Sequence, residues 1–321
     1  MILLITTALL AYALVSWFAS EKSPFKLLDT PNERSLHENP VPKTGGLALL
    51  IALYTGWLLL LSTSTVPMAF VPVFFAALLV AGISFFDDLV ELSPLIRVTV
   101  HALAAAILLY SDFSLHDSLA GQLFTFISII WMLNLYNFMD GMDGFAGGMT
   151  LSGFGFIGLA GFIQGDYFFA LLSWTVAAAS VGFLFKNYPP ARIFMGDAGS
   201  ATLGFLAAAC SLWGVRSEIF DLWFPLLVFS PFVVDATVTL LKRAWRREKV
   251  WQAHREHFYQ RLALTGWGHK KTVHYEYFLM LAVGTSSIVM LYWKEAVIIG
   301  LGFWVLIYLL LVYKADKFCK I

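Results

Sequence analysis

Charge is what this sequence has little of. Asp, Glu, Lys and Arg make up 13% of its 321 residues, 59% are hydrophobic, and the mean hydropathy is +0.76. That balance excludes an ordinary soluble globular domain, which carries about twice the charge. The formal net charge is zero, so no basic surplus points to nucleic acid, and single Arg and Lys positions matter more than their sum. Cysteine is nearly absent. Cys210 lies in an apolar run and Cys319 near the end, which excludes a disulfide framework, and no His or Cys residues stand at zinc-ligand spacing. Residues 1–19 lack a basic leading segment and a small-residue cleavage site, so they are expected to form a retained span and not a secretory signal.

What fills the chain instead is apolar runs long enough to cross ~30 Å of hydrocarbon. They fall at about 1–19, 44–62, 67–85, 95–110, 119–139, 145–163, 167–185, 199–214, 222–241, 276–293 and 296–313. The expectation is an all-α, polytopic integral membrane protein of about eleven transmembrane helices, forming one domain over residues 1–321. With the N-terminus outside, segments 20–43, 186–198, 242–275 and 314–321 face the cytoplasm. They carry four, two, nine and three Lys and Arg residues, 18 of the 21. The positive-inside bias thus predicts a cytoplasmic C-terminus and puts Asp87, Asp88, Asp140, Asp143, Asp197 and the basic segment 242–275 on one cytoplasmic face.

The few carboxylates and amides are grouped. Asn134, Asn137, Asp140 and Asp143 recur every third residue, so on a helix they drift slowly round one side and converge on a single cavity. A carboxylate at a helix centre in lipid costs roughly 2.5–3.5 kcal/mol, so these acids belong at a membrane boundary or in a wet cleft. Asp87 and Asp88 close the third run with Glu91 one turn on, an acidic face suited to a hard cation or a phosphate-bound metal. Arg97 is placed to hold a phosphate oxygen or to snorkel to the interface. Asp197 stands at a helix entry, Phe194 offers a flat face for a base, and Gly196 and Gly199 permit close backbone approach. His254, Arg255, His257 and Arg261 form a basic, proton-exchanging patch suited to a polyanion. Arg34, His37 and Lys43 add positive charge on the same face. Gly144, Gly148 and Ser152, four residues apart, read as a helix-packing stripe.

Four motifs occur in a fixed order: a DxPNxRxxHxxPxPxxGGLA loop from Asp29, an FFDDL helix end, an NxxNxxDGxDG segment and an FMGDxGS turn. Together they resemble the polyprenyl-phosphate N-acetylhexosamine-1-phosphate transferase family over Asp29 to about Leu262. The chain is more similar to the bacterial lipopolysaccharide (O-antigen) and teichoic-acid initiating enzymes than to the muramoyl-pentapeptide transferase, whose triple-histidine motif it lacks. Where O-antigen-initiating relatives carry His-x-His-His, this sequence reads His257-Phe258-Tyr259-Gln260, so only His257 carries over.

The resemblance implies transfer of an N-acetylamino-sugar 1-phosphate from a UDP-sugar to undecaprenyl phosphate at the bacterial inner membrane, with release of UMP. Such transfer between two anions needs charge neutralisation and alignment more than covalent help. The implied cofactor is Mg²⁺, or Mn²⁺ in its place. By the same resemblance, Asn137 and Asp197 hold the metal and diphosphate, and Arg97 stands where a phosphate-binding lysine is usual. Gly141, Asp143 and Phe194 meet the uracil, and Asp87 and Asp88 orient or deprotonate the lipid phosphate. Asp140 and His257 join the catalytic set, while Asn134, Arg34, His37, Arg255 and Arg261 contact substrate. Membrane lipids are further partners, and a homodimer is allowed. A secondary transporter would need polar groups near the midplane of two half-repeats, which are not evident. A CDP-alcohol phosphotransferase would need Ala-Arg where Ala146-Gly147 stands. A UbiA-type prenyltransferase would leave Asp197 and the His/Arg segment unexplained.

Overall fold

In hydrocarbon every backbone N–H and C=O must be paired within its own segment, so apolar runs of this length become helices. A computed structural model describes the chain apart from residues 25–26, 32–35, 37–38, 91, 251, 253 and 320–321. Arg34, His37 and Glu91 therefore lie outside the described residues. After α1 (Ile2–Phe18), two-residue strands β1 (Leu28–Asp29) and β2 (Val41–Pro42) pair antiparallel, Leu28 opposite Pro42. Then follow α2 (Gly45–Thr63), α3 (Phe70–Val90), α4 (Pro94–Tyr110), α5 (Leu119–Phe138), α6 (Phe145–Ile163), α7 (Tyr167–Asn187) and α8 (Gly196–Arg216). The chain ends with α9 (Trp223–Val228), α10 (Ser230–Trp245), α11 (Phe258–Leu262), α12 (Gly268–Tyr292) and α13 (Val297–Phe318). A π turn over Ala263–Trp267 joins α11 to α12.

Among the described residues, eight helical stretches are long and apolar enough to cross a membrane, with α11 and α12 counted as one stretch; α1 and α4 are apolar but shorter, at 17 residues each. The run expected as one span over 222–241 is two helices. Pro231 in the first turn of α10 has no N–H to continue α9, so the ladder breaks at Phe229.

The bundle is built round α8, whose most apolar 18-residue window is 89% buried, whereas that of α13 is 6% buried. Small side chains make the central position of α8 feasible, because helices in a membrane associate by close packing and not by expelling water. A Cβ on Gly204 would sit 2.6 Å from the carbonyl oxygen of Met132 in α5. The glycine stripe of α6 packs on α12, where Tyr277 covers Gly148 and donates its hydroxyl to the carbonyl of Gly144 at 2.7 Å. This packing brings the C-terminal ends of α3, α5 and α7 together with the N-terminal ends of α2, α6, α8 and α12.

Candidate active site

Those helix ends enclose a cavity of about 590 Å³. Nine of the residues expected to act line it: Asp87, Asp88, Arg97, Asn137, Asp140, Gly141, Asp143, Phe194 and Asp197. The acids of α3 are held from two sides. Asp87 accepts the Leu92 N–H at 2.7 Å, closing the helix end, and its other oxygen takes Arg97 at 2.8 Å. Asp88 pairs with Lys43 at 3.1 Å and accepts the Ala198 N–H at 3.1 Å, one of the unpaired donors that open α8. Arg97 also lies 3.6 Å from Asp197. Asn137, at the last turn of α5, donates to Asp197 at 2.9 Å and to Ser200 at 3.2 Å. One cation thus bridges α3 and α8, and one amide bridges α5 and α8.

The helix that would carry Asn134, Asn137, Asp140 and Asp143 along one side does not extend to Asp140 or Asp143. Helix α5 ends at Phe138, and Gly144 takes a left-handed φ of +75° to start α6. Asp140 and Asp143 therefore sit on the turn between, not on a helix face. Asp143 accepts the Ala191 N–H at 3.0 Å and lies 3.1 Å from His269 of α12. Asn187 stitches the neighbourhood together, accepting from Gly144 N–H and donating to the Ile193 carbonyl, both at 2.9 Å. Phe194 is set by the start of α2: its N–H donates to Pro42, and its carbonyl accepts from Gly45 at 2.9 Å. Enclosure in the cleft, reinforced by the like charges of Asp197, Asp88 and Asp29, pushes the Asp140 carboxyl well above the ordinary carboxylate range.

Four expected site residues are placed elsewhere. Asn134 lies a turn below the cavity and donates back to the Ile130 carbonyl at 2.8 Å, which uses the amide within its own helix. His257 is buried at 3% exposure, 3.1 Å from Asp235, with its ring stacked on Phe138 and Tyr259. Asp235 also accepts the N–H groups of Phe258 and Tyr259, both at 3.0 Å, so this histidine belongs to the anchor of α11 and does not itself reach the cavity. Arg261 is turned away to Asp316 of α13 at 2.8 Å, and Arg255 lines a separate cavity with it. The segment instead delivers Tyr259 and Gln260 to the site, and Tyr259 donates to the Phe138 carbonyl at 3.0 Å. His269 and Asn187 also line it. Residue type alone did not mark them, although Gly266 and Gly268, both at positive φ, punctuate the chain just before His269.

The donor set suits a hard cation. Asp88, Asp140, Asp197 and the Asn137 amide offer oxygen, and the mutual repulsion of the acids is of the kind a divalent ion relieves. Among the described residues no group of three or more His, Cys, Asp or Glu side chains is assembled to hold an ion. Mg²⁺ commonly takes one or two carboxylates together with water and substrate phosphates.

A family model described as glycosyl transferase family 4 matches residues 70–215, the stretch that supplies the α3, α4, α5, α7 and α8 portions of this cavity. The match covers a little under half of the chain. It is 28% identical over 278 residues to the probable undecaprenyl-phosphate N-acetylglucosaminyl 1-phosphate transferase of Bacillus subtilis, covering 82% of this chain and 77% of the relative. It is 29% identical over 312 residues to the decaprenyl-phosphate N-acetylglucosaminephosphotransferase of Mycolicibacterium smegmatis, with 84% and 76% covered. The similarity to the phospho-N-acetylmuramoyl-pentapeptide-transferase of Listeria welshimeri is shorter: 33% over 125 residues, 38% of this chain and 37% of that one. The expected polyprenyl-phosphate sugar-1-phosphate transferase family is the one these relatives represent.

Proposed function

We propose that this chain is a glycosyl transferase of family 4 type that moves an N-acetylamino-sugar 1-phosphate from a UDP-sugar to undecaprenyl phosphate, initiating a cell-surface polysaccharide such as an O-antigen. The observation that carries the reading is the single cavity in which Arg97 joins Asp87 to Asp197 while Asn137 joins α5 to α8. It supports a site that aligns two phosphorylated substrates. An oxygen of the lipid phosphate attacks the sugar-bearing phosphorus, the bond from that phosphorus to the bridging oxygen breaks, and UMP leaves with that oxygen. Asp87 and Asp88 sit on the lipid side, at the end of α3, and position the acceptor; its phosphate is already largely ionised at pH 7, so a base is dispensable. Arg97 and Lys43 offset the negative charge gathered there. Asp143, Gly141 and Phe194 take the uracil, with His269 steadying Asp143.

Asn137 and Asp197 would hold Mg²⁺, or Mn²⁺ in its place, which when bound neutralises the diphosphate. A cytoplasmic-face site at the inner membrane, with the N-terminus outside, is part of the proposal; the positive-inside bias of segments 186–198 and 242–275 supports it. Cysteine labelling from outside should then reach position 294 and fail at 255. Release of UMP, measured with undecaprenyl phosphate and a panel of UDP-sugars, tests the activity itself. N-Acetylglucosamine is the expected donor sugar on the names of the relatives, and no UMP release from any UDP-N-acetylamino sugar would refute the proposal.

A further inference from the structure

Away from the catalytic cavity, unmatched positive charge collects where α10, α11 and α13 end together. A second cavity, of about 550 Å³, is lined there by Lys242, Arg246, Arg255, Glu256, Arg261 and Asp316, with Trp245 and Phe258 in its wall. The charges do not balance. Lys242 and Arg261 share Asp316, while Arg246 and the buried Arg243 behind it share Glu248 and Glu256. Five cations thus face three carboxylates. Arg255 is exposed and makes no hydrogen bond or ion pair among the described residues. On the last turns of α10, Trp245 is 90% exposed and Leu241 64% exposed. A bare indole beside basic side chains at the end of a membrane helix is the pattern of a residue seated at the lipid headgroup level.

We propose that this cavity binds the phosphate headgroup of an anionic phospholipid. The surplus charge and the exposed indole are independent observations, and a soluble phosphate would need only the first. The neighbouring apolar groove of about 710 Å³ between α10, α12 and α13 shares Phe258 with this cavity and takes an acyl chain. The site also has a mechanical link to the first cavity. In the five-residue α11, Phe258 and Arg261 face the lipid site, whereas Tyr259 and Gln260 line the catalytic one. A headgroup held by Arg255 and Arg261 therefore steadies from behind the helix that delivers Tyr259.

The test uses the full chain with Leu241→Cys carrying a benzophenone, in nanodiscs of equal phosphatidylglycerol and phosphatidylcholine. Cys210 and Cys319 are buried, so the label goes to position 241. Captured lipid is counted by mass spectrometry, a readout that needs no turnover and stands apart from the reaction assigned above. Phosphatidylglycerol should exceed phosphatidylcholine roughly five-fold or more, and Arg255→Gln should remove most of that preference, since each basic residue near an anionic surface is worth roughly five-fold. The same label at Leu309, on the exposed side of α13, should show parity. Equal capture at position 241, or a preference that survives Arg255→Gln in folded protein, would overturn the site. Loss of the preference on adding millimolar inorganic phosphate at constant ionic strength would overturn the lipid as its occupant.

Discussion

The candidate active-site cavity has two kinds of wall. On one, the ends of α3, α4, α5 and α8 present charged and amide side chains that hold one another across the cleft: Asp87 to Arg97, Arg97 to Asp197, Asp197 to Asn137. On the other, α11 and the start of α12 present Tyr259, Gln260 and His269, and the charge that fixes them sits behind, at Asp235. The first wall is positioned by the charged and amide side chains of the cavity themselves. The second is positioned by a buried carboxylate that never reaches the substrate space. Substitutions on the first should therefore separate chemistry from folding, and substitutions on the second should mix the two.

The largest effect is expected at Asp197. Asp197→Asn keeps the shape and should lower turnover by roughly 10²–10³, the usual cost of one charge-stabilising group, with folded yield and detergent melting temperature unchanged. Equal loss of folded protein would erase the contrast between the walls. Asp235→Ala should be next, because it strands the N–H groups of Phe258 and Tyr259 and the His257 ring at once. An unsatisfied buried donor costs about 1–3 kcal/mol, so melting temperature and turnover should fall together, and a normal melting temperature would show that α11 is held some other way. Phe194→Ala should remove a stacking face worth roughly 1–3 kcal/mol. That appears as weaker UDP-sugar binding with the response to undecaprenyl phosphate within a few fold, while Asp87→Asn should do the reverse. If both variants lose the same substrate, the division of the cavity between lipid and nucleotide is wrong.

The smallest effect concerns pH. Burial, together with the positive neighbours His257 and Arg243, lowers the His254 imidazole to about 4, and the neutral ring accepts the Glu256 N–H at 3.3 Å. The folded state thus prefers the neutral form. The stability this confers is present above the ordinary value of 6.5 and is lost as pH falls from there towards about 4. Melting temperature should drop across that window, and His254→Gln should flatten the slope modestly because the ring is half exposed to solvent. An unchanged slope in the variant would remove His254 as its source.

The contrast between the walls also explains what the sequence revealed. Apolar runs announced the long helices, because a membrane helix needs an unbroken apolar length; the α9–α10 break was missed, since two prolines in an apolar run are compatible with one span, and so were α11 and the early start of α12, which carry too many polar residues to read as a span. In a chain this poor in charge, carboxylates at helix ends stand out, so Asp87, Asp88, Asp140, Asp143 and Asp197 were all picked. The same logic misled at the second wall. His257 and Arg261 attract notice by residue type, yet each is bound to an acid far along the chain, Asp235 or Asp316. Spacing carries no trace of such partners. Tyr259 and Gln260 reach the cavity because of those pairings, so they became visible only with the tertiary structure.

The start of α2 gives the site its scale. A Cβ on Gly46 would fall 2.5 Å from the Cα of Gly199, and one on Gly199 would fall 2.7 Å from the Cα of Gly46. Next to this contact, the Gly45 and Gly46 N–H groups hold the Phe194 and Met195 carbonyls at 2.9 and 2.8 Å. Asp197 rides on the same turn. The distance between the proposed base platform and the proposed metal ligand is therefore gauged against a glycine pair, and neither position can gain a methyl group without opening the jaws of a caliper. Alanine at either glycine acts as a shim there: it alters the gap that the proposed diphosphate would span while every polar side chain of the cavity keeps its identity.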